Sequence, residues 1–166
     1  MAMIFCFNAA EVFQVAIEIE KNGKAFYEKA QSMIEDAEVR QLFADLARQE
    51  VEHERRFAEL KAKLPVAASA TTVNDPDDQL QAYIKMMADQ HVFSTSAGLE
   101  AELAKVRNSS DALRLAIQFE KDSVLFFLGM QEATCEDKGR QLIDLLVKEE
   151  QQHLKLLSLQ LRKMSR

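Results

Sequence analysis

Ala16-Ile17-Glu18-Ile19-Glu20-Lys21 returns one hundred residues later as Ala116-Ile117-Gln118-Phe119-Glu120-Lys121. Without a gap, the same offset lays Phe26-Tyr27 over Phe126-Phe127 and Gln41-Leu42 over Gln141-Leu142. Leu46 falls over Leu146, Glu50 over Glu150 and His53 over His153. Any two amphipathic helices match leucines at some offset, but that does not account for shared Glu, Gln, Lys and His positions. The chain carries two copies of one unit.

Each unit reads as a helical hairpin. In the first, Asn8 with Glu11 three residues on resembles a capping box, and Phe13, Ala16, Ile17, Glu20, Lys24 and Tyr27 follow at helical spacing. The pattern fades near Met33. A second helix is expected from about Asp36 to Leu64, with Leu42, Phe43, Leu46, Glu50, His53, Phe57 and Leu60 on one stripe, and Pro65 ends it. The second unit opens on the cap Asn108-Ser109-Ser110-Asp111 and carries Leu113, Ala116, Ile117, Glu120, Val124 and Phe127. After a turn at Cys135–Gly139, its other helix carries Leu142, Ile143, Leu146, Glu150, His153 and Leu157. Between the hairpins (8–64 and 110–165) lies a crossover, 65–109, in which Val66–Pro76 reads as a linker. Two shorter helices are expected within it, about Asp77–His91 and Thr95–Val106, because a compact domain does not accommodate so long a structureless loop. Short turns make each hairpin antiparallel, and the long crossover suits a four-helix bundle whose second and third helices run parallel.

Composition agrees. Only 4 Gly and 2 Pro occur in 166 residues, which excludes turn-rich β architectures. The length suits one domain spanning 1–166, and the net charge of −6 argues against a nucleic-acid binder. No apolar run is long enough for a membrane span, and the N-terminus lacks the basic region of a signal peptide. Cys6 and Cys135 form no CxxC pair, so a reducing cytoplasm is the expected location.

Each unit has a Glu on its first helix and Glu-x-x-His on its second. Residues i and i+3 share a helix face, so Glu50 and His53 can grip one ion together, as can Glu150 and His153. Glu20 and Glu50 each sit about 15 residues from their turn, ~22 Å along the axis, and Glu120 and Glu150 do the same, so all six side chains meet at one height. All four glutamates lie on the apolar stripes. Bare carboxylates there would cost several kcal/mol each, and apart from Lys24 no basic residue shares a stripe to neutralise them. Two divalent cations would supply +4 against −4. Glu makes up 17 of 166 residues, so finding it both 3 and 33 positions before both histidines is far from chance.

With this doubled set the chain resembles the ferritin-like superfamily, and within it the rubrerythrin group of di-iron proteins. The resemblance implies a dinuclear site with Glu20, Glu50, His53, Glu120, Glu150 and His153 as ligands, Glu50 and Glu150 as bridges, and two iron ions, with manganese as the alternative. It implies reduction of hydrogen peroxide, or of oxygen. Many rubrerythrins carry a further Glu where this chain has Ser123, and many carry a rubredoxin module with paired CxxC motifs, which this sequence lacks. An external electron donor such as a rubredoxin-type protein is then expected. Ferroxidase activity in iron storage and a non-enzymatic helical interaction module are the alternatives, and a homo-dimer or larger homo-oligomer is the expected assembly. Tyr27, two turns beyond Glu20, is a candidate to hydrogen-bond a ligand or pass an electron. His91 has no repeat counterpart and is expected at a helix end or on the surface. Gly23, one turn beyond Glu20, leaves room for metal, substrate or close helix packing.

Overall fold

In the computed structural model, residues 9–64, 79–91, 95–133 and 137–165 are described. Among them there are six α-helices and no strand: α1 (Ala9–Ala30), α2 (Ala37–Ala62), α3 (Gln79–Gln90), α4 (Ser96–Leu103), α5 (Ser109–Ala133) and α6 (Asp137–Met164). The protein is all-α, built as the expected two hairpins with a partly helical crossover. A 3-10 turn, Gln31–Met33, closes α1.

Side-chain caps place several of the starts. Asp36 Oδ1 accepts from the Val39 amide at 2.9 Å ahead of α2, Thr95 Oγ1 from Gly98 at 3.0 Å ahead of α4, and Asn108 Oδ1 from Asp111 at 2.9 Å ahead of α5. Each such cap contributes about 1 kcal/mol. The expected cap at Asn8, both prolines and both cysteines lie outside the described residues. Gly139 falls within α6 and not in a turn. No described helix is long and apolar enough to cross a membrane.

Aromatic contacts fix the helix directions. Phe13 of α1 meets Phe57 of α2 (ring centroids 6.1 Å apart), and Phe57 meets Phe127 of α5 (5.0 Å). Two turns to the other side of Glu20 and Glu50, Tyr27 meets Phe43 (5.1 Å), and it also meets Phe119 (6.0 Å), the residue before Glu120. Phe13 is thus level with Phe127, and Tyr27 with Phe119, so α1 and α5 are antiparallel and α2 and α5 run parallel. Phe13, Phe57 and Phe127 lie to one side of the level at which Glu20, Glu50, Glu120 and Glu150 point inward, and Tyr27 and Phe43 lie to the other. All six of these rings are buried.

Gly23 serves helix packing. A Cβ there would collide with the ring tip of Phe119. That ring is held edge-on to Tyr27 and, at 5.4 Å, to His91, and cannot swing away. Ala is the better helix former by about 1 kcal/mol, whereas overpacking a full core costs about 1–3 kcal/mol. Gly23→Ala is therefore expected to lower the unfolding midpoint in urea, with a net loss of about 1 kcal/mol. A raised midpoint would show that the α1–α5 approach is looser than described.

Candidate metal centre

The apolar stripes carry four carboxylates inward. Glu20, Glu50, Glu120 and Glu150 are buried, with His53 and His153 beside them. Lys24, the basic residue on the α1 stripe, turns outward to Glu28 at 3.8 Å and does not reach the cluster. Leu142 is also turned out, 41% exposed, because α6 begins its inward face at Ile143.

The six residues form two overlapping groups. Glu20, Glu50 and His53 bring potential ligand atoms within 4.8 Å of one another, and so do Glu50, Glu120, Glu150 and His153. The imidazoles stack with centroids 5.5 Å apart and planes 13° from parallel. Both present Nδ1 to the carboxylates. His53 Nδ1 is 2.7 Å from Glu150 Oε1 and 3.3 Å from Glu20 Oε2. His153 Nδ1 is 3.2 Å from Glu150 Oε2 and 3.5 Å from Glu120 Oε2. Glu150 thus offers one oxygen to each side.

These approaches are close but badly angled for hydrogen bonding. Among the described residues, nine buried side-chain atoms have no hydrogen-bond partner, and all nine belong to these six residues. They are both oxygens of Glu20, Glu50 and Glu150, Oε2 of Glu120, and the two Nδ1 atoms. Buried polar atoms are normally satisfied, and each exception costs about 1–3 kcal/mol. Oxygen and nitrogen donors aimed at shared points with nothing to bind are the arrangement that divalent cations complete. The donor set fits two such ions.

Protons substitute for part of that charge in the metal-free protein. Burial, then the charge of Glu20, pushes the Glu50 carboxyl well above the usual range. Burial, then Glu150, pushes Glu120 up to about 8. Burial also opposes charge on Glu150, yet His53 and His153 more than offset it and hold that group well below the usual range. For His153, burial lowers the pKa, but the Glu120 and Glu150 carboxylates close to its Nδ1 carry it to about 10.

Partners behind the ligands went unpredicted. His53 Nε2 lies 2.7 Å from Glu149 Oε2, and Arg56 Nη1 donates to both oxygens of that carboxylate at 2.8 Å. His153 Nε2 lies 3.0 Å from Gln49 Oε1. Residues 49 and 149 occupy the same position of the repeat, immediately before Glu50 and Glu150, and that shared position is the signal that could have found them. Tyr27 is placed as one of its expected roles required: its buried hydroxyl donates to Glu120 Oε1, across the hairpins. Burial, then Glu120, keeps the phenol protonated. His91 is at the end of α3, as expected, but is buried and not on the surface, with Nε2 3.0 Å from Ser123 Oγ. Burial lowers its pKa to about 3, so it is neutral.

The rubrerythrin family profile matches residues 11–161. The chain belongs to the rubrerythrin family. Its fold is similar to the crystal structure of a proposed ferritin-like diiron-carboxylate protein from Thermotoga maritima, with a TM-score of 0.69 over 99% of both chains. At 17% identity that likeness speaks for the fold, which is ferritin-like. No curated protein matches the sequence. This rubrerythrin-family chain has a buried glutamate and histidine cluster that could bind metal.

Proposed function

We propose that this rubrerythrin-family chain is a cytoplasmic di-iron oxidoreductase that reduces hydrogen peroxide, or oxygen, in defence against oxidative stress. Glu20, Glu50, His53, Glu120, Glu150 and His153 are the ligands in this reading, with Glu50 and Glu150 as the bridges. The observation that carries it is the confinement of all nine unsatisfied buried polar atoms to these six side chains. Iron suits mixed carboxylate and imidazole donors, and manganese would suit them as well. When bound, a ferrous pair supplies the two electrons that cleavage of one O–O bond requires.

The chain's own residues arrange the rest. The buried rings of Phe13, Phe57 and Phe127 on one side, and of Tyr27 and Phe43 on the other, keep bulk water from the ligand level. Tyr27 occupies Glu120 Oε1 and leaves Oε2 for an ion. Reducing equivalents come, in this reading, from an external donor such as a rubredoxin-type protein. Assembly as a homo-dimer is supported by α6, which exposes Leu142, Leu145, Leu156 and Leu159.

The test is anaerobic: ferrous-loaded protein is mixed with hydrogen peroxide, and iron oxidation and peroxide loss are followed together. One peroxide consumed per two irons oxidised is expected, with Glu50→Ala and His153→Ala inactive. Peroxide left untouched in that assay, with rapid consumption of oxygen and ferrous iron into a large hollow shell in a parallel aerobic one, would instead favour iron storage.

A further inference from the structure

The two halves of the site are alike in their inward donors and unlike in what stands behind them. Glu149 and Gln49 are repeat equivalents, yet one is a carboxylate and the other an amide. An ionised carboxylate only accepts hydrogen bonds, so Glu149, fixed by both oxygens to Arg56, requires His53 to carry its proton on Nε2. That leaves the Nδ1 lone pair of neutral His53 facing the cluster. An amide both accepts and donates, so Gln49 permits either tautomer of His153 by turning over. A histidine donating to a carboxylate is also the more basic ligand.

A second difference acts on the same side. Glu120 has Oε1 engaged by Tyr27, whereas its repeat equivalent Glu20 has both oxygens without a hydrogen bond. Phe127 stands where a second Tyr would be and has no hydroxyl to offer. Glu150 offers one oxygen to each histidine, at 2.7 Å from His53 Nδ1 and 3.2 Å from His153 Nδ1, while its tight cluster is with Glu50, Glu120 and His153.

We propose that the two metal positions are unequal, the one at His53 and Glu20 binding a divalent cation more tightly and filling first, with Glu149 as the positioning residue that sets the order. This rests on the di-metal reading above.

The test uses apoprotein titrated with cobalt(II), followed by calorimetry and by proton NMR of the hyperfine-shifted, exchangeable Nε2–H of each metal-bound histidine. One such resonance is expected to grow over the first equivalent and the second over the next, with dissociation constants about tenfold or more apart. His53→Ala removes the first resonance. Glu149 is partly exposed, so Glu149→Gln is expected to fold normally by circular dichroism and to bring both resonances up together. Gln49→Glu tightens the second step. Two cobalt ions bound with equal affinity in the natural chain, or an unchanged order in Glu149→Gln, would overturn the inference and leave the di-metal reading standing. Failure to bind cobalt at all would overturn both.

Discussion

Glu50→Met is expected to stabilise the metal-free protein and to abolish its dinuclear site. Glu50 has no exposure and no hydrogen-bond partner for either oxygen, and it faces Glu20, Glu120 and Glu150. Met has similar volume and no group to desolvate. Replacing buried ionic residues with apolar ones of like size is commonly neutral or stabilising by about 1–4 kcal/mol. In a chain of this size each kcal/mol raises Tm by about 2–4 °C. With two divalent ions per chain the order reverses: the natural protein gains the binding free energy, about 4 kcal/mol at a thousandfold excess over Kd, and the variant does not. Thermal unfolding with and without metal checks this. A variant less stable than the natural chain in chelator would mean that Glu50 has a structural partner.

Raising the pH is expected to weaken the metal-free fold while strengthening metal binding. Glu120, raised to about 8 in the folded protein, holds its proton more tightly there than when unfolded. Its contribution to stability is therefore complete below its ordinary value and lost as pH climbs through 8. His153 has the same sign, its contribution present below its ordinary value and lost on rising through about 10. Glu150, held low, contributes above the ordinary carboxylate range and is lost on acidification. Together these place the most stable metal-free protein at mildly acidic pH, with a decline from there to about pH 10. Metal must displace the protons held at Glu120 and His153, so affinity rises by about tenfold or more per pH unit below 8. Chelator-treated protein unfolded at pH 6 and 9, with metal titrations at the same values, reads both trends. Affinity independent of pH would mean that these groups do not ligate.

The hundred-residue offset made the hairpins legible because a ligand set needs polar side chains at fixed points of an apolar stripe, and both copies hold them in the same register. Glu20 and Glu120, far apart in the chain, could be paired from height in the bundle alone. What escaped depends on contacts between hairpins. Glu149 and Gln49 sit at the rim of their helices, where a polar residue reads as a solvated face, and their partners are the histidines of the opposite repeat. Gly23 left three uses open until Phe119 was seen to fill its space. His91 gave no periodic signal, since its burial comes from the end of α3 packing near Ser123 and Phe119.

Metal analysis after anaerobic loading with ferrous iron and removal of the excess addresses the central claim most directly. Two iron ions per chain are predicted, falling to one or none in Glu50→Ala and His153→Ala. A natural chain that retains no metal, or variants that retain two ions, would contradict a dinuclear centre built on these six residues.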